Sequence, residues 1–478
     1  MCVDQNGDTP LILAIINENS EQALNIIKNG NCYPHIVNSY GDTALLLSIH
    51  KNMPHISLEI LNTRNANPGH VDNYGNTSLT LSIKKIFESV ANKIIESYTD
   101  FNINHIDAHS DNALNASLKL GLWSVAQKLV LNNNCDFTIV DDNGDTPLLI
   151  SINKLGIFNY PYEEDSDGII DEKLLHEVEN KRIIFEKEKT IYEYIIKNIL
   201  KSGRSNPGHV NKNQTTALLL SMCKDAPIIG ELILRTGNSN PSVINKVGDT
   251  SLLLALSKNY ENICKLIVDE TSVNNHIISN NGDTPLLLAL SKNYKYISEK
   301  IFSTIGNNKN NLESLSVITK CGDIALFFAI NIGNEDLALK IFHTKYSKFD
   351  IISNEGDTSL IMAINNGMLT LAYEILIVAS PSLISHVNKY GNTALILSLG
   401  KMFFDFAMRI IDRGNSNPDH INNENDTALL LAVHHGQLDI SKKFLDVMKV
   451  NKHHKNNFNN DALTIAKIRN YTELFEYF

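Results

Sequence analysis

The stretch NPGHVDNYGNTSLTLSI, residues 67–83, decides the fold of this chain. Pro68 forces Asn67 out of helical space, so a preceding helix must end there. The run from Pro68 to Asp72 is expected to be extended. Asn73 and Gly75 mark a tight bend, because glycine accepts a positive φ without steric cost. Thr77 follows, with a hydroxyl able to cap the free N–H groups of a new helix. SLTLSI then reads as a short apolar helix starting at Ser78.

Outward from this stretch the same string returns along the whole chain. The position of Gly75 recurs at Gly7, Gly41, Ser110, Gly144, Gln214, Gly248, Gly282, Gly322, Gly356, Gly391, Asn425 and Asn459, mostly at a spacing of 34. A spacing of 70 between Gly144 and Gln214 is one period with an insertion, and the 40 between Gly282 and Gly322 is one period with six extra residues. Pro10, Pro147 and Pro285 directly follow the capping threonine, at the first helical position where a missing N–H costs nothing. After a polar turn such as SKNYE, each unit shows a second apolar stripe at i, i+4 and i+5. Ile263, Ile267 and Val268 form one, Ile297, Ile301 and Phe302 another, and Phe406, Ile410 and Ile411 a third. A unit this small cannot bury its own apolar face and must stack on its neighbours.

A turn followed by two antiparallel helices every 34 residues resembles the ankyrin repeat, over residues 1–156 and 191–478. The tetratricopeptide repeat has nearly the same period. It wants Trp and Tyr in the first helix and no G-x-T cap, whereas this chain has one Trp, Trp123. The expected fold is therefore all-α, an ankyrin-repeat solenoid of about thirteen helix-turn-helix units. The family's first-helix histidine is replaced here, for example by Leu46, Thr80, Leu253 and Phe327, and its G-A-D turn by Asn-Pro. Apolar packing is expected to stand in for the Thr–His bond. Arrays with this Asn-, Ile- and Lys-rich character are similar to those of large DNA viruses and AT-rich protists.

The organisation follows from the spacings: N-terminal repeats over 1–156, an insertion over 157–190, and C-terminal repeats over 191–478 ending in a degenerate capping repeat. Within the insertion, Glu163, Asp165, Asp167, Gly168 and Ile170 partly match a calcium loop. Leu174 stands where the bidentate Glu should be, so an acidic loop leading into a helix is the expectation. From Asp171 onward one long helix is expected, with Leu174, Val178, Phe185, Tyr192, Ile195 and Ile199 on one stripe. It would either pack back on the array or offer a partner seam.

Composition narrows the function. A net charge of −11 argues against a general nucleic-acid binder. The six cysteines are dispersed, with no C-x-x-C pair, and read as reduced thiols of an intracellular, cytoplasmic protein, in a host cytoplasm if the origin is viral. Apolar runs such as LILAII are too short to span a bilayer, and the N-terminus lacks the pattern of a secretory signal. No phosphate loop, H-E-x-x-H or G-x-S-x-G motif is present, so neither an enzyme nor a cofactor is expected. His70, His105, His209, His276, His386 and His420 recur once per repeat. Residues one repeat apart are about 10 Å apart, too far for a shared metal, so these histidines are expected to make hydrogen bonds that brace each hairpin. His434–His435 and His453–His454 are expected at the surface.

What the resemblance implies is a monomeric scaffold that grips a partner protein with its turn tips and first helices, the tip residues setting the choice. A substrate adaptor of a ubiquitin ligase is the alternative. Tyr40, Tyr74 and Tyr390 occupy equivalent tips, and Tyr is favoured as an interface anchor. Lys212, Lys246, Lys320 and Lys389 share another tip column, which would suit an acidic partner unless these are simply solvated turn residues. Neither nucleic acid nor membrane is expected as a partner.

Overall fold

In a computed structural model of the chain, described for residues 3–30, 32–156, 172–270, 276–280, 282–306, 309–319 and 322–478, the expected units are present one after another. Side chains of the long helix are described from residue 179 onward. The acidic loop, with Glu163, Asp165, Asp167, Gly168 and Ile170, lies outside the described residues, as do the side chains of Leu174 and Val178. The chain forms two compact units, Met1–Ala255 and Leu256–Phe478. Each is an all-α stack in which neighbouring helix pairs pack on one another. Among the described residues, no helix is long and apolar enough to cross a membrane.

The first helix of each repeat is only about two turns long, for example Ala44–His50 and Pro285–Ser291. Such a helix would not persist alone in water. It exists because it is capped at its start and buried on nearly every side. The Thr43 Oγ1 accepts from the Leu46 amide at 3.2 Å, and the same bond recurs from the Ile12 amide to Thr9, from Leu287 to Thr284 and from Leu430 to Thr427. Asn112 and Asp461 take over the cap in their repeats through side-chain oxygens. Ile324 is the exception: it stands at the cap position, fully buried, and makes no capping bond.

Packing explains the rest of the helix pattern. Ala44, Leu45, Leu46 and Ile49 are wholly buried, and each Leu or Ile so buried contributes about 1.5–3 kcal/mol. Ser48 is buried as well, and its hydroxyl is satisfied by the Leu45 carbonyl at 2.8 Å and by Ser57 at 2.7 Å. Ser82, Ser117, Ser151, Ala289, Ala329 and Ala363 follow at the same position, a column of small residues that lets helices approach closely. In the second helices the expected stripe is buried at Ile263, Ile267 and Val268 and at Phe406, Ile410 and Ile411. Phe302 departs from it by being half-exposed. A further small residue after the first apolar one, Cys264, Ser298 or Ala407, is buried too.

Two expectations need correction, one on the Asn-Pro segment and one on His454. The Asn-Pro segment is a tight turn, not an extended run: Asn67, Asn240 and Asn417 have left-handed φ of 49°, 48° and 49°, and the His70 amide closes back on the Asn67 carbonyl. Asparagine suits that conformation because it tolerates left-handed φ better than most residues. His70, His105, His209, His386 and His420 do brace hairpins by hydrogen bonds, each reaching the finger one repeat earlier, as described below. His454 is likewise half-buried and belongs to that column.

The long helix, Glu172–Lys201, is the second helix of its repeat extended at its N-terminal side. Tyr192, Ile195, Ile196 and Ile199 are buried against the Trp123–Leu131, Pro147–Asn153 and Pro227–Leu234 helices. The Tyr192 hydroxyl donates to the Leu118 carbonyl at 3.2 Å. Residues 181–184 are exposed, Ile183 and Ile184 among them, and Phe185 is half-buried. The stripe therefore packs back on the array at its C-terminal half. In the repeat with six extra residues, the second helix lengthens to Lys295–Gly306 and a 3-10 turn, Lys309–Ser316, follows it.

Candidate binding surface at the finger tips

Every hairpin finger between repeats is built on one side chain three residues before the glycine position. The Oδ1 atom of Asp72 accepts from the Tyr74 amide at 2.9 Å and the Asn76 amide at 2.7 Å. Asn38, Asp107, Asp141, Asn211, Asn245, Asn388, Asn422 and Asn456 make the same pair of bonds. Ser279, Thr319 and Ser353 stand at the same position and accept from the amide four residues on. These oxygens satisfy amides that no sheet could reach, and so fix the finger conformation.

Six of the fingers are tied by a histidine to the one before. His70 Nε2 meets the Gly41 carbonyl oxygen at 2.9 Å, His209 that of Gly144 at 2.8 Å, His386 that of Gly356 at 2.7 Å and His420 that of Gly391 at 2.9 Å. His105 and His454 do the same to Gly75 and Asn425. Close approach also explains the glycines: a Cβ on Gly391 would fall 2.7 Å from the Asn423 amide nitrogen, besides facing a φ of 74°. Where the finger base carries Asn, its amide donates to the preceding Asp, as in Asn38 to Asp8 at 2.8 Å and Asn388 to Asp357 at 2.8 Å.

Where the base carries Asp, a lysine or histidine nitrogen from the first helix takes the place of that amide. Lys119 Nζ lies 2.6 Å from Asp111 and 2.9 Å from Asp141. Lys84 Nζ lies 2.8 Å from Asp107 and 3.0 Å from the Asn76 side-chain oxygen. At the equivalent junction one repeat earlier, His50 Nε2 stands 3.0 Å from Asp72 Oδ2. Burial alone would raise the carboxyls of Asp72, Asp107 and Asp141, but hydrogen bonds from backbone amides and from His50, Lys84 or Lys119 outweigh it and hold all three low. Burial wins at Asp42, Asp111 and Asp145, which are pushed up.

On this frame the sequence-selected tips fall as follows. Tyr40, Tyr74 and Tyr390 are 59%, 73% and 61% exposed on rigid turns. The Tyr74 ring meets His50 edge to face, with centroids 6.0 Å apart. Lys212 and Lys246 are exposed but each reaches back to the preceding finger, to the Asp142 carbonyl at 2.6 Å and to Asn213 Oδ1 at 2.9 Å. Lys389 lies 3.9 Å from Glu355. Lys320 lies outside the described residues. Asn73, Asn423 and Asn457 occupy the same column and bond to the carbonyls of Tyr40, Lys389 and Glu424. The lysine column is thus part of a tip-to-tip ladder that asparagine serves equally well.

Two features escaped the sequence. Phe458, 83% exposed, occupies the same tip position as the three tyrosines. The clue was available for Phe458, since it directly precedes Asn459 in the repeat frame. The Asp42, His50 and Asp72 donors, all within 4.8 Å of one another, could not be foreseen because they come from two repeats. Of the thiols, burial pushes Cys135 and Cys264 up to about 12, which makes them poor nucleophiles.

No family model and no curated protein sequence matches this chain. Among solved structures, the ankyrin-repeat domain of Bcl-3, described as a unique member of the IkappaB protein family, is 18% identical over 55% of this chain and 100% of that one, with a TM-score of 0.35. The ankyrin-repeat protein EF0377 is 14% identical over 48% of this chain and 98% of that one, at 0.34. An ankyrin-repeat domain from Acinetobacter baumannii AYE is 18% identical over 47% of this chain and 96% of that one, at 0.32. The fold rests on the repeat geometry above rather than on these superpositions.

Proposed function

We propose that this chain, an array of ankyrin repeats, is a non-catalytic scaffold that binds a partner protein through its finger tips and adjoining first helices. The observation that carries this is the combination of exposure and rigidity at Tyr40, Tyr74, Tyr390 and Phe458. Large aromatic side chains normally hide from water, and here they stand on turns whose backbone amides are already hydrogen-bonded. A rigid, exposed aromatic gives up little entropy on binding and buries a large apolar area. The lysine column contributes a second, weaker element. Lys212 and Lys246 stay exposed while serving the ladder, and can steer an acidic partner toward the tips.

The test is capture of partners from cell extract on immobilised chain, quantified by mass spectrometry, with two variant sets. Replacing Tyr40, Tyr74, Tyr390 and Phe458 by Ser should leave the circular dichroism spectrum intact and remove specific partners. Replacing Lys212, Lys246, Lys320 and Lys389 by Gln should slow association with an acidic partner in low salt only. Unchanged capture by the aromatic variant would refute the tip surface.

A further inference from the structure

We propose that Asp42, His50 and Asp72 form a binding site for one zinc ion at the junction of the second and third repeats. The three donors are a carboxylate on one finger, an imidazole at the end of the Ala44–His50 helix and a carboxylate at the base of the next finger. His50 Nε2 and Asp72 Oδ2 are 3.0 Å apart, close to the separation of about 3.3 Å that two ligands make around tetrahedral zinc with bonds near 2.0–2.1 Å. The third donor atom lies within 4.8 Å of both, so a small side-chain adjustment of Asp42 completes three ligands. Water would supply the fourth. The imidazole is 28% exposed, which leaves an entry path, and the Asp72 side chain is wholly buried.

The neighbouring junctions point to a cation at this place independently of the donor set. The position equivalent to His50 carries Lys84 and then Lys119, and in both the ammonium sits between the two oxygen-bearing side chains of adjacent fingers. The fold therefore holds a cation here at each of these junctions. Only Asp42 and Asp72 face each other across a group that is uncharged when deprotonated. Two carboxylates with a neutral imidazole carry a charge of −2, against −1 at the Lys119 junction. A zinc ion would bring it to zero. The donor chemistry selects zinc over calcium or magnesium, which prefer all-oxygen sites. Further groups face the site, among them Asp8, whose negative charge also acts on Asp42. Asp72 is also held by Asn76 at 3.2 Å, the Tyr74 ring packs edge-on to His50, and His70 lies close enough to act electrostatically on Asp42. His70 itself is committed to the Gly41 carbonyl, so it braces the finger and leaves the metal to His50.

The experiment compares zinc stoichiometry and thermal unfolding of the full chain with three variants, each with zinc chloride and with a chelator. His50→Lys fills the site with the chain's own ammonium, as at Lys84 and Lys119. It should bind one zinc fewer than the wild type and unfold at a temperature that the chelator does not change. Asp42→Asn should weaken this one site at least about tenfold, and Thr63→Ala, which removes a helix-end hydrogen bond and no ligand, should leave zinc stoichiometry and the response to chelator as in the wild type. Cobalt should give the absorption of a tetrahedral ion in the wild type and lose it in His50→Lys. Equal stoichiometry in wild type and His50→Lys, or a wild-type unfolding temperature indifferent to zinc, would overturn the site and leave His50 as a hydrogen-bond partner of Asp72 alone.

Discussion

The Nε2 atom of His420 lies 2.9 Å from the carbonyl oxygen of Gly391, which places a side chain of one repeat on the backbone of the one before it. The acceptor is a turn carbonyl that no helix or sheet would otherwise pair, so the bond fixes finger spacing and finger conformation together.

Removing this brace should be felt locally. His420→Ala is expected to cost about 1 kcal/mol, the usual net value of a hydrogen bond. Urea titration should show the lower midpoint, and hydrogen exchange should place the loss at fingers around residues 388–426. Uniform loss of protection along the whole chain would contradict the nearest-neighbour coupling expected of stacked repeats.

Capping threonines should be individually costly. Thr43→Val preserves shape and removes the oxygen that receives the Leu46 amide, so a loss of about 1 kcal/mol is expected. Denaturant midpoints with an unchanged slope would check it.

One strained residue offers a gain. Ile86 sits between the two helices of its repeat at φ 61°, where equivalent positions carry Gly121, Gly333, Gly367 and Gly436. It is 62% exposed, so its side chain loses little by removal. Ile86→Gly should raise stability by about 1 kcal/mol, because a β-branched residue in left-handed space is strained. A lower melting temperature would show that the side chain makes a contact that outweighs the strain.

The Lys119 junction should make stability depend on pH in a definite direction. Asp141 is held low in the folded chain, so its contribution is present above the unfolded carboxyl value and is lost as pH falls through the lower folded one. In Lys119→Met, Asp111 and Asp141 lose their shared cation, and mutual repulsion raises a folded carboxyl above its unfolded value. The variant's deficit should then be largest near pH 7, about 1–2 kcal/mol after allowing for screening at a lysine one-third exposed, and shrink toward pH 4. Chemical denaturation across that range measures it. A deficit that grows on acidification would reverse the assignment.

Sequence alone determined the repeat, its period, the helix starts at Thr9 to Thr427 and the apolar stripes. Each of these depends on residues close together in the chain: a cap and the amide three residues on, or apolar side chains one turn apart. It also placed Tyr40, Tyr74 and Tyr390 at the tips, because a position relative to the glycine is a local fact. What joins repeats was decided only by tertiary structure. His70 on Gly41, Lys119 between Asp111 and Asp141, and His50 between Asp42 and Asp72 pair residues about one period apart. Sequence shows such residues as separate columns and cannot say which column meets which. That register is set by how closely two buried helices stack, and the stacking distance is a property of the packed side chains together, carried by no single stretch of the chain.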